Sequence, residues 1–198
     1  MKKSSTIRLL ALVASLCAGL AASPVAAHAG HDAASGAAAG FAHPFTGLDH
    51  LLALASAGAI LAACTLRMRC IGATALGAAL LIGAMIGRQG VNFQALEWVL
   101  ALSVVAAGVM VATQCGAGSS HWLIAGMAGF ALFHGYAHGA EATGDATAFV
   151  AAFLVASASI LGGALWAALR FPRADSLRTV FGLAVATTGA GMLLFAAM

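Results

Sequence analysis

The chain reads as six long apolar runs separated by short breaks that hold most of its charge. The runs predict helices over 45–64, 70–87, 94–113, 120–140, 146–169 and 177–197. Each is close to the roughly 17–25 residues that a helix needs to cross the hydrocarbon of a bilayer. The breaks leave no room for a second domain. The pattern therefore predicts an all-α, polytopic membrane protein with one six-helix transmembrane domain over 28–198. Between 30 and 42 the chain is rich in Gly, Ala and Ser and reads as a flexible external segment.

Composition excludes the water-soluble alternative. With 62% hydrophobic and only 8% charged residues, the 198-residue chain lacks the polar material to cover a water-facing surface. Its 24 glycines and abundant alanines suit closely packed membrane helices.

The first 27 residues have the layout of a secretory signal peptide. Lys2, Lys3 and Arg8 precede an apolar stretch over 9–20, and small residues follow through Ala21, Ala22, Ser23, Ala26 and Ala27. Cleavage after Ala27 or after Ala29 satisfies the small-residue rule, and either places the mature N-terminus outside. Removing those three basic residues leaves six arginines against six acids. The basic balance of the whole chain thus reports targeting and gives no support to nucleic-acid binding.

Loop charges test the orientation independently. With the N-terminus outside, Arg67, Arg69, Arg170, Arg173 and Arg178 face the cytoplasm and only Arg88 faces out. That is the positive-inside pattern. It predicts a multi-pass protein of the bacterial cytoplasmic membrane with both mature termini outside. Cys64, Cys70 and Cys115 then map to cytoplasmic helix ends, which argues against a disulfide scaffold.

Two segments carry the candidate chemistry. The first, entering the first helix, reads His43-Pro44-Phe45-Thr46-Gly47-Leu48-Asp49-His50. Pro44 and Thr46 signal a helix start, and Thr46 with Asp49 resembles a variant capping box. That structural reading accounts for Asp49 but not for His43 or His50. The second segment, at the end of the fourth helix, places His134, His138 and Glu141 at i, i+4 and i+7, on one face. An i,i+4 histidine pair can hold one divalent metal from adjacent turns. Gly135 stands where a zinc-protease motif would need its glutamate. Glycines 129, 135 and 139 would let a neighbouring backbone come close.

The predicted topology brings both segments to the same outer depth. Imidazole and carboxylate donors suit Ni²⁺, Co²⁺, Zn²⁺ or Cu²⁺. Glu97 and, more weakly, Asn92 lie at that level as a further ligand or counter-charge, whereas His121 starts its helix on the cytoplasmic side. Cleavage after Ala27 would also create the terminus His28-Ala29-Gly30-His31, which could capture metal outside.

HPFTGLDHLL at 43–52 and FHGYAHGAE at 133–141, behind a signal peptide in a six-helix chain, resemble the HupE/UreJ family of hydrogenase and urease accessory proteins. The resemblance implies a secondary nickel permease, with some relatives associated with cobalt, that supplies metalloenzymes and so serves nickel-enzyme maturation proteins. It places the family's first motif on His43, Asp49 and His50, and its second on His134, His138 and Glu141. The histidine-bearing mature terminus of such proteins falls on His28 and His31. The transported ligand would be Ni²⁺, with Co²⁺ or Zn²⁺ as alternatives. No Walker A sequence is present, and an enzyme is not expected, because no serine or cysteine nucleophile accompanies the histidines. The rival readings are a membrane metal-binding accessory protein that moves no ion and a haem protein with axial histidines.

Overall fold

A computed structural model describes residues 36–113, 121–171 and 175–198. The signal-peptide segment, His28, His31, Cys115 and Arg173 lie outside the described residues. Every regular element among those described is a helix: α1 (Gly36–Thr46), α2 (Leu48–Ala62), α3 (Leu66–Gly87), α4 (Leu96–Ala112), α5 (His121–Ala140), α6 (Ala146–Arg170) and α7 (Asp175–Ala196). Three of them, α3, α6 and α7, are long and apolar enough to cross a membrane, and the bent pair α1–α2 makes a fourth span if counted as one. The chain is thus an all-helical protein of membrane type. α4 is apolar but has 17 residues, and α5 spends part of its 20 on His121, His134 and His138.

The largest departure from expectation lies at the start. Residues 36–42, where the Gly/Ala composition suggested a flexible segment, belong to the helix α1. Alanine is the best helix former, and α1 gains a partner in α6. Gly36 and Gly40 sit so close to the backbones of Asp145 and Phe149 that a Cβ at either would clash.

The capping-box reading of Thr46 and Asp49 also fails. Thr46 is the last residue of α1, and its hydroxyl donates back to the His43 carbonyl at 2.9 Å. The chain then turns by 73° at Gly47, whose backbone is extended (φ −78°, ψ 105°) and which caps α2 without any side-chain bond. The Gly47 N–H joins Thr46 on the same His43 carbonyl at 3.1 Å. This corner leaves the Asp49 side chain available for a different partner.

Packing follows pairs of helices: α3 on α5, α4 on α7, and α6 on both α1 and α2. At the α3–α5 seam, Gly83 and Gly87 face the backbones of Leu132 and Tyr136, while Gly135 and Gly139 face those of Leu80 and Ala84. Any side chain there would separate the helices. This is a small-xxx-small interface read from both sides. Gly129 differs from the expectation, because it is exposed and nothing among the described residues lies within reach of a Cβ there.

Phe149 and Phe153 of α6 are fully buried and anchor the core beside α2. At the opposite end of α2, Arg69 donates to the carbonyls of Leu61 (3.3 Å) and Ala62 (2.9 Å). Arg178 does the same for Ala168 at 3.0 Å. Such contacts satisfy carbonyls that a helix C-terminus leaves open.

Candidate metal centre

The α1–α2 corner and the end of α5 meet. His43 stands in the last turn of α1, Asp49 and His50 in the first turn of α2, and His134 and His138 in the last two turns of α5. Glu141 follows directly, its N–H still bonded to the Ala137 carbonyl, so the helical register carries it onto the histidine face. Six of the eight sequence-predicted residues therefore share one site, and the other two, His28 and His31, lie outside the described residues.

The outer part is open. The His43 Nε2 donates to a Glu141 carboxylate oxygen at 2.8 Å, with side chains 35% and 59% exposed. His138 lies beneath them, its side chain only 6% exposed and its Nδ1 3.9 Å from the same oxygen. One donor atom from each of His43, His138 and Glu141 lies within 4.8 Å of the other two. No other trio of His, Cys, Asp or Glu among the described residues is so close.

His138 is the anomaly of the site. Both of its ring nitrogens are buried and neither has a hydrogen-bond partner among the described residues. A buried polar group left unpaired costs roughly 1–3 kcal/mol. The ring is held by edge-on contacts with His43 (centroids 4.7 Å) and His50 (4.4 Å), and it packs on Phe153 at 4.7 Å. Packing fixes its position while leaving its donor atoms uncommitted.

Deeper still, His50 and His134 face each other through Nδ1 at 3.4 Å. Asp49 Oδ2 lies 3.8 Å from the His134 Nδ1. The remaining ring nitrogens reach two buried serines: His134 Nε2 to Ser103 Oγ at 2.8 Å, and His50 Nε2 to Ser157 Oγ at 3.1 Å. Sequence reasoning missed both serines. Their only signal was a hydroxyl within an apolar run, which most often bonds to its own helix. Ser103 does so too, donating to the Leu100 carbonyl at 2.6 Å.

Inside this pair a cavity of about 590 Å³ opens, with His50, His134 and Ser103 at its polar end. Its other walls are apolar, including Leu54, Met110, Met127 and Phe130, and it reaches Trp122 at the far end of α5. Twelve residues of helix separate Trp122 from His134, a rise of about 18 Å. The remaining candidates stay apart. Glu97 is exposed in the first turn of α4, where its charge reaches Asp49 and Glu141. Asn92 is exposed in the preceding loop, and His121 begins α5 at the opposite end from His138.

Fold and site together define a helical protein of membrane type whose imidazoles and carboxylates run from an open surface into a buried interior. The chain belongs to the HupE/UreJ family, whose model, described as HupE / UreJ protein, matches residues 15–194. It is 35% identical over 166 residues to Protein HupE of Rhizobium leguminosarum bv. viciae, an alignment covering 81% of this chain and 85% of the relative. No solved structure matches.

Proposed function

We propose that this protein is a permease that takes up a divalent transition-metal ion, Ni²⁺ with Co²⁺ as the alternative, across the bacterial cytoplasmic membrane for metalloenzyme maturation. The observation that carries this reading is His138, a buried imidazole whose two nitrogens are unpaired among the described residues, between an exposed His43–Glu141 pair and a buried His50–His134 pair. A structural histidine would be expected to satisfy at least one nitrogen. A transport site instead needs donor atoms that are positioned and free to accept an ion.

In this account α2 to α7 each cross the bilayer, behind a cleaved signal peptide, with the histidine end outside. A hydrated cation meets Glu141 and His43 first, and their mutual hydrogen bond opens so that both can turn to the ion. Carboxylate and imidazole replace part of its water shell, as suits Ni²⁺ or Co²⁺. His138 is the next donor inward, followed by Asp49, His50 and His134, and then by the apolar cavity. Successive donors at similar spacing let the ion move without one deep minimum. The mature N-terminal His28 and His31 would add a capture site outside, and maturation proteins would receive the ion inside.

The test is nickel accumulation in cells expressing wild type, His50→Ala and His138→Ala at matched membrane levels. Accumulation should fall to background in both variants. Wild-type accumulation in both would refute the reading.

A further inference from the structure

The two buried serines are not equivalent, and the difference fixes what the histidines present to the interior of the site. Ser103 has one hydroxyl hydrogen, which goes to the Leu100 carbonyl at 2.6 Å. Toward His134 its oxygen can therefore only accept, so the 2.8 Å contact requires the hydrogen of His134 to sit on Nε2. The Nδ1 of His134 is left as a bare lone pair. It faces Asp49 Oδ2 at 3.8 Å and the His50 Nδ1 at 3.4 Å. A lone pair beside a carboxylate repels it unless a positive group or an N–H lies between them.

Ser157 stands 3.1 Å from His50 Nε2 and has no second hydrogen bond among the described residues. Its hydroxyl can donate to that nitrogen or accept from it. His50 can therefore carry its own hydrogen on either ring nitrogen. With the hydrogen on Nδ1 it bonds to the His134 lone pair and closes the pair. With the hydrogen on Nε2 it presents a second lone pair.

We propose that Ser103 and Ser157 are positioning residues for an inner metal station formed by His50 and His134, which Asp49 would complete by turning toward them. Ser103 holds His134 permanently with Nδ1 as a donor atom. Ser157 lets His50 switch: Nδ1–H toward His134 when the station is empty, Nδ1 lone pair toward the cation when it is filled. The switch moves one proton from Nδ1 to Nε2 of the same ring, leaves the ring neutral, and turns Ser157 from donor to acceptor. Partners of this kind set which ring nitrogen of a histidine can ligate, and their loss typically weakens metal binding by about 10–100-fold. The role of the station rests on the metal-uptake reading, whereas the bond pattern does not.

The experiment uses full-length protein in detergent with ¹⁵N-labelled histidine, free of metal, with tautomers read by NMR and Ni²⁺ affinity by calorimetry. Wild-type His134 should carry its hydrogen on Nε2. In Ser103→Ala that preference should be lost and Ni²⁺ should bind about 10–100-fold more weakly. Ser157→Ala should weaken binding similarly and leave the His134 tautomer unchanged. A wild-type His134 protonated on Nδ1 would overturn the proposal without any variant. So would a Ser103→Ala protein with wild-type tautomer and affinity, and unchanged affinity in Ser157→Ala would remove the role given to His50. A wild type that binds Ni²⁺ with this serine dependence yet moves none across a vesicle would support the proposal and overturn the uptake reading.

Discussion

The ring of His138 meets the ring of His50 edge-on, with centroids 4.4 Å apart and planes at 85°. This contact joins α5 to α2, two helices that make little direct backbone contact. Imidazoles fill the gap between them, so the polar centre is also part of the packing. Function and stability can therefore be separated only by substitutions that keep the ring shape.

His138→Phe is such a substitution. It removes two buried unpaired nitrogens and retains a ring against Phe153. Thermal unfolding in detergent should show unchanged stability or a gain of about 1 kcal/mol, because an unsatisfied polar group has been deleted. Nickel accumulation should nevertheless fall to background. A stable variant with normal accumulation would remove His138 from the path.

Glu141→Gln keeps an acceptor for His43 and removes only the charge at the exposed entrance. The half-saturating nickel concentration for uptake should rise about tenfold, equivalent to roughly 1.4 kcal/mol, with a smaller change in maximal rate. Kinetics of ⁶³Ni uptake would show it. A loss confined to the maximal rate would contradict an entrance role.

Glycine positions on α5 should divide sharply. Gly139→Leu places a side chain into the backbone of Ala84 and should abolish a monodisperse, folded preparation. Gly129→Ala meets nothing among the described residues, and should leave stability within about 1 kcal/mol of wild type or slightly above it. Size-exclusion profiles and melting curves of the two variants would decide.

These contrasts also show what a sequence alone makes legible. Hydrophobic run length placed six helices within about four residues at either end, as with 120–140 against His121–Ala140, because crossing length and helix periodicity are local properties. The joint face of His134, His138 and Glu141 followed from the same periodicity. Residues 36–42 were misread because Gly and Ala serve linkers and tight helix seams equally, and only contact with α6 separates the two. Thr46 and Asp49 matched a capping pattern, but the 73° corner at Gly47 took both out of it. Ser103 and Ser157 could not be found from local pattern, since their importance lies in histidines 31 and 107 residues away in sequence.

The most direct measurement of the central claim is flux of Ni²⁺ into sealed vesicles containing only the purified protein and a nickel-sensitive dye. Wild type should admit Ni²⁺ well above empty vesicles, and His50→Ala and His138→Ala should match the empty control. A wild type that binds Ni²⁺ but admits none, or histidine variants that conduct as well as wild type, would contradict the account.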